Sequence, residues 1–147
     1  MRDDRHSIRV RLLYVSQAVG PQTTTVTTSI LLQAQTHNAV LGITGVLCQG
    51  QGFFFQVLEG ERSRVNALYR RICIDKRHHA VDLLHYEEIK ERLFDQWSMA
   101  LIRLPVDDPM LNRQHADFDP YATSGTEVMA QLLNWVATGQ PIEMTAP

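Results

Sequence analysis

A run of seven residues closed off by glycines narrows the possible folds more than any other stretch of this chain: Phe53-Phe54-Phe55-Gln56-Val57-Leu58-Glu59, between Gly52 and Gly60. Aromatic and β-branched residues bracketed by glycine read as a buried strand. Side chains of a strand alternate between its faces, so Phe54, Gln56 and Leu58 share one side and Phe53, Phe55 and Val57 the other. Gln56 then places an amide in the middle of an apolar row. A buried polar group left unpaired costs about 1–3 kcal/mol. The commoner resolution is a bond to a neighbouring side chain or loop. The alternative is that the amide faces a bound ligand with polar edges.

The whole chain has 147 residues, enough for one domain with a proper core, or a slightly smaller domain with an appendage. A hydrophobic share of 44% argues against disorder. Lysine and arginine number 14 against 16 acidic residues, so no overall positive field recruits nucleic acid. Cys48 and Cys73 lie in apolar segments without metal-ligand spacing and are expected as reduced core residues. The first residues, 1–6, are polar, and no apolar run approaches membrane-spanning length. A soluble, cytoplasmic protein is the expectation.

Alternation predicts a first strand over Ile8–Ser16, with Ile8, Val10, Leu12 and Tyr14 on one face. A helix follows from about Thr23 to His37, with Val26, Ile30, Leu31 and Ala34 as its apolar side; Asn38 is then either a left-handed terminator or a free functional group. Ile43–Gln49 is a second strand, joined through Gly50-Gln51-Gly52 to the third in a hairpin. A second helix over Glu61–Asp75 buries Val65, Leu68, Tyr69, Ile72 and Cys73. The polar knuckle from Asp75 to His79 is expected as a solvated turn, its adjacent histidines pointing apart. A fourth strand covers Val81–Ile89, with Val81, Leu83 and His85 opposite Leu84 and Tyr86, and a charged turn covers Lys90–Gln96. A fifth strand covers Ser98–Leu104, with Trp97, Met99 and Leu101 on one face.

This order, βαββαββ, predicts a ferredoxin-like α+β fold: a mixed five-stranded sheet with two helices on one face. After Pro105 the character changes. A short helix over Met110–His115, a break at Asp119-Pro120 and an amphipathic helix over Gly125–Thr138 are expected. The last carries Val128, Leu132, Leu133, Trp135 and Val136, and must bury them on the open sheet face or on another subunit. The expected division is a domain over 1–105 and a helical extension over 106–147 that caps the sheet, oligomerises or carries output. In this topology the first and third strands are adjacent and central, which brings Tyr14 within reach of Gln56 on the helix side. Asn38 and, at the end of the second helix, Arg71, Asp75, Arg77 and His78 rim the same slot. No nucleophile beside a histidine, phosphate loop or working carboxylate pair accompanies them. The set offers a redox-capable phenol, an amide that donates and accepts, and a basic rim suited to phosphate.

The residues that carry this argument also carry a resemblance. The runs Arg11-Leu12-Leu13-Tyr14-Val15-Ser16, His37-Asn38, Gly42 to Cys48, Phe54 to Glu61, Val65 to Tyr69, Asp75 to His79 and Phe94 to Met99 are, in order and spacing, similar to BLUF domains, the blue-light sensors that use flavin. The resemblance covers about 8–104. It implies that Tyr14 is the photoactive tyrosine, Gln56 the switching glutamine and Asn38 the holder of the pyrimidine edge of the flavin. It places His37 near the ring and Arg71, Asp75, Arg77 and His78 about the ring or its ribityl-phosphate tail; Phe54 and Leu58, which share the strand face of Gln56, are then expected to wall the ring pocket. Trp97 and Met99 match the pair on the fifth strand that changes surroundings on illumination. Ala34 departs from the serine found in several members. The implied chromophore is FAD, with FMN or riboflavin open; the implied partners are further copies of the chain and a separate response protein, with no enzymatic step. Three rival readings remain: an RNA-recognition module, which the acidic balance opposes; an acylphosphatase-type enzyme, which lacks its phosphate loop; and a flavin binder without photochemistry, against which Tyr14 and Gln56 stand.

Overall fold

The computed structural model describes residues 7–21, 24–104, 119–138 and 140–142. The chain runs β1 (Arg9–Ala18), α1 (Thr24–Leu41), β2 (Thr44–Gly50), β3 (Phe53–Glu61), α2 (Arg62–Cys73), β4 (His78–Glu88), β5 (Ala100–Arg103), α3 (Gly125–Thr138) and β6 (Gln140–Ile142). The helix expected over 110–115 falls outside the described residues. The strands lie in the order β4-β1-β3-β2-β5-β6. Every pairing is antiparallel except β2 with β5. The ferredoxin-like arrangement is present, with one strand more than the five expected: β6 follows α3 and pairs with the outer edge of β5.

The alternation of β1 and β3 divides the core into two layers. Val10, Leu12, Tyr14, Phe54 and Leu58 face α1 and α2, where Leu31 and Val65 complete the layer. Leu13, Val15, Phe55 and Val57 face α3, which buries Val128, Leu132 and Trp135 against them. Trp135 lies 5.1 Å from Phe55, centroid to centroid. The terminal helix therefore caps the open sheet face, as its apolar stripe requires.

Five expectations need correction. First, α1 runs past His37 to Leu41, and Gly42, at φ 66°, is the left-handed residue that ends it. The Ile43 amide bonds back to the Asn38 carbonyl at 2.9 Å, closing a Schellman-type turn. Asn38 is thus helical, and its side chain does not serve as terminator. Second, the register of β1 with β4 shifts between Leu13 and Tyr14, so that Leu13 pairs with His85 and Tyr14 with Leu83. Leu84 is the extra residue of a bulge, which turns Tyr86 toward the α2 side and His85 toward α3. Third, β5 starts only at Ala100, so a period of two does not extend back to Trp97. Met99 and Leu101 face α1 and α2, whereas Trp97 packs with the α3 layer, stacked on Phe94 at 6.0 Å. Fourth, Cys73 is exposed; only Cys48 is a core residue. Fifth, the knuckle after α2 is less solvated than expected, because β4 begins at His78 and holds it half-buried.

Candidate functional site

β1 and β3 are direct neighbours, and Tyr14 pairs with Gln56 across them. Both point to the helix side, where α1 and α2 splay to leave a cleft of about 210 Å³. Tyr14 Oη donates a hydrogen bond to Gln56 Oε1. Burial pushes the Tyr14 phenol far above its ordinary value, Asp75 and Tyr69 act in the same direction, and Arg77 opposes them. A phenol held protonated is a donor, which makes an oxygen the fitting Gln56 atom to face it. The amide nitrogen then points the other way, and Gln56 Nε2 lies 3.4 Å from Met99 Sδ. The chain Tyr14–Gln56–Met99 runs from β1 through β3 to the approach of β5.

The walls follow from the helical stripes. Ile30 and Ala34 of α1, Leu68 and Ile72 of α2, and Leu47 and Phe54 of the sheet give the cleft flat apolar sides. Polar groups enter at its edges: His37 and Asn38 from α1, Arg71 from α2, and Asp75, Arg77 and His78 from the turn into β4. His78 is fixed at both ring nitrogens, Nδ1 2.7 Å from Ser16 Oγ and Nε2 donating to the Ile72 carbonyl at 2.6 Å. Arg77 grips Asp75 in a fork, Nη2 to Oδ2 at 2.6 Å and Nε to Oδ1 at 3.0 Å. That bond holds the Asp75 carboxyl below its usual range and raises Arg77 in turn. Asn38 donates from Nδ2 to the Ser98 carbonyl at 3.1 Å, which leaves its Oδ1 edge for other contacts.

Of the residues singled out in the sequence, the structure brings Tyr14, His37, Asn38, Phe54, Gln56, Arg71, Asp75, Arg77 and His78 together around one cleft. Met99 lies behind Gln56. Leu58 is fully buried in the same layer but does not line the cleft, and Trp97 stands on the opposite side of the sheet. Gln33 and Leu47 line the cleft without having been singled out; neither position carries a pattern that would have marked it. Among the described residues there is no cluster of three or more side chains able to hold a metal ion, and no helix long and apolar enough to cross a membrane.

Comparison with known proteins bears on what fills this cleft. Residues 10–100 match the family model described as BLUF, sensors of blue-light using FAD. The chain belongs to the BLUF family. Over 89 residues it is 37% identical to photoactivated adenylate cyclase subunit beta of Euglena gracilis, covering 60% of this chain and 10% of that one. Among solved structures it resembles BlsA in its photo-activated state, at 30% identity and a TM-score of 0.76 over 92% of this chain and 99% of that one. It also resembles BlrB, a BLUF protein in its dark state, at 29% identity and a TM-score of 0.71, covering 89% and 96% of the two chains. The chain spans about a tenth of the length of the curated cyclase subunit it matches.

The BLUF cleft of this chain fits a flavin on its own chemistry. An isoalloxazine ring is flat and apolar on its faces, with hydrogen-bonding groups along its edges. Apolar walls with Tyr14, Asn38 and Gln56 converging between them, and arginines at the rim, match that distribution.

Proposed function

We propose that Tyr14 and Gln56 form the photoactive pair of this BLUF sensor, and that the switch they operate reaches β5 through Met99. The observation that carries the reading is the chain of contacts from Tyr14 Oη through Gln56 Oε1 and Nε2 to Met99 Sδ. When bound, flavin supplies the absorption of blue light and a strong oxidising power in its excited state. Tyr14 is placed to give up an electron, and the proton on its Oη has Gln56 Oε1 as acceptor. Rotation of the Gln56 amide, or its shift to the imidic tautomer, exchanges donor and acceptor at both of its ends. The electron and proton return to Tyr14 on recombination, leaving no bond between protein and flavin. The Gln56 Nε2 contact with Met99 Sδ is weakened or replaced, so Met99 faces a changed partner. The process therefore reverses thermally in the dark.

Asn38 Oδ1 is the group suited to a ring N–H, with Phe54 as the sheet-side wall. Arg71 and His37 stand at the rim with exposed side chains. They favour a phosphate-bearing flavin, FAD in particular, while Asp75 neutralises Arg77. We assign output to a further copy of the chain or a separate response protein that meets α3. Leu133, exposed on α3, supports a surface of that kind.

Absorption spectra before and after blue light test the reading. The purified protein is expected to be yellow and to shift slightly to the red on illumination. Tyr14→Phe should keep the colour and abolish the shift. A colourless preparation that takes up no added FAD, or a Tyr14→Phe variant with a normal shift, would overturn it.

A further inference from the structure

The segment that leads into β5 is held by its carbonyls. Trp97 O accepts from the Gly45 amide at 3.0 Å, Ser98 O from Asn38 Nδ2 at 3.1 Å, and Met99 O from Gln35 Nε2 at 2.9 Å. Successive carbonyls of a regular strand point in opposite directions, so one helix face cannot normally bond two in a row. Here α1 bonds both, from positions three apart on the same face. The segment is consequently not strand until Ala100, which is also why Trp97 and Met99 part to opposite sides of the sheet. Gln35 is buried, 7% exposed, and does not line the cleft.

We infer that Gln35 is a positioning residue for the photocycle: by holding the Met99 carbonyl it sets the thioether under Gln56 Nε2, and so controls how readily the amide returns to its dark arrangement. This rests on the photosensor reading of Tyr14 and Gln56. The physical basis is short. The sulfur is a weak acceptor, and its attraction for an amide depends on being present at the right distance. The Met99 side chain is packed in the cleft-side core, 2% exposed, and its three rotatable bonds leave the place of its backbone to decide how far the sulfur reaches. Asn38 fixes the preceding carbonyl but lines the cleft, whereas Gln35 bonds the Met99 carbonyl from outside the cleft lining. Substitution there separates the position of Met99 from chromophore binding.

Two variants test it in the flavin-loaded protein. Gln35→Met keeps length and burial and removes the donor. It should leave the dark absorption maximum and the size of the red shift unchanged while slowing dark recovery by about fivefold, the factor matching one lost neutral hydrogen bond. Gln35→Glu donates only when its carboxyl is protonated. Its recovery should be slow at neutral pH and approach the parent rate on acidification, a pH dependence that a purely structural role would not produce. Hydrogen exchange in the dark supplies an arm independent of photochemistry: the Gly45 amide, bonded to Trp97 O, should exchange faster in Gln35→Met than in the parent. Recovery rates equal to the parent in both variants, or unchanged Gly45 exchange in Gln35→Met, would overturn the inference. A parent protein with no red shift would instead overturn the photosensor reading, and the exchange measurement would still decide whether Gln35 holds the segment.

Discussion

Two buried polar side chains sit three residues apart on β3, and they are satisfied in opposite ways. Glu59, on the α3 side, is 0% exposed and saturated: it accepts from Arg11 Nε at 2.8 Å and from the Leu93 and Phe94 amides at 2.9 and 2.8 Å. Gln56, on the cleft side, is 6% exposed and holds one phenol and one sulfur. The first is bound by strong, charge-assisted donors that reach it from two other parts of the chain. The second borders a cleft, and turning its amide breaks one phenol hydrogen bond and a weak sulfur contact, with no charge-assisted bond to lose. Burial alone does not distinguish a fastening from a switch; the number and strength of the partners do. Glu59 fastens the β4–β5 loop, with Arg11 linking it onward to Glu87. That loop carries Trp97 and leads to Met99, so the fixed residue supports the chain on which the movable one acts.

The comparison makes its strongest claim about stability. Glu59→Ala should cost about 3–5 kcal/mol, because it leaves the Arg11 guanidinium buried beside two unpaired amides. Chemical denaturation measures this directly. A loss below about 1 kcal/mol would mean that water or Glu87 replaces the carboxylate and that Glu59 is no fastening. Gln56→Leu should cost much less, about 1–2 kcal/mol, the price of a Tyr14 hydroxyl without its acceptor. Its effect falls on light instead: the flavin stays bound and the red shift disappears. A Gln56→Leu protein as unstable as Glu59→Ala would break the distinction.

The same contrast explains what could be read in the sequence. Alternation is a local property, and it sorted Phe53, Phe55 and Val57 from Phe54, Gln56 and Leu58 correctly because β1 and β3 are regular over their whole pairing. It failed where regularity stops. The bulge at Leu84 leaves no mark in a run of apolar residues, so the faces of His85 and Tyr86 were exchanged. Trp97 and Met99 are two apart, but the hydrogen bonds of α1 keep their segment out of the strand, and those bonds come from residues about 60 positions away. Glu59 carried no signal at all, since a carboxylate near a strand end usually faces water. The cleft side was more legible than the α3 side for a chemical reason. A ligand site needs particular residue types, which a motif records, whereas a fastening needs only donors, and main-chain amides from any sequence supply them.

The α3 side also offers a test of how tightly the cap is seated. A Cβ on Gly125 would land on the Leu84 carbonyl at the bulge of β4, so α3 starts in direct contact with that backbone. Gly125→Ala should destabilise by about 1–3 kcal/mol through overpacking, and Trp135 fluorescence should report the loosened helix. Because the contact lies on the face away from the cleft, the red shift should keep its size. A diminished shift would show that the two faces are more closely coupled than Glu59 and Gln56 suggest.

The smallest expected effect separates the faces by pH. Tyr14 has its phenol raised by burial, so the folded state keeps a proton that the unfolded chain releases near pH 10. A raised folded value means that the stability is fully present below about pH 10 and declines above it, by up to about 1.4 kcal/mol per pH unit for one group. Tyr69, whose phenol burial also raises, adds a second contribution from the cleft side, and the buried Cys48 thiol adds one from the α3 side that begins at lower pH. Tyr14→Phe removes only its own share. The difference in unfolding free energy between parent and variant, followed from pH 9 to 11, should therefore be flat to about pH 10 and then fall. A difference that stays flat throughout would mean that the Tyr14 phenol titrates normally in the fold. The cleft would then admit enough water to solvate a phenolate beside Gln56, and Tyr14 would be less thoroughly buried than its 3% exposure indicates.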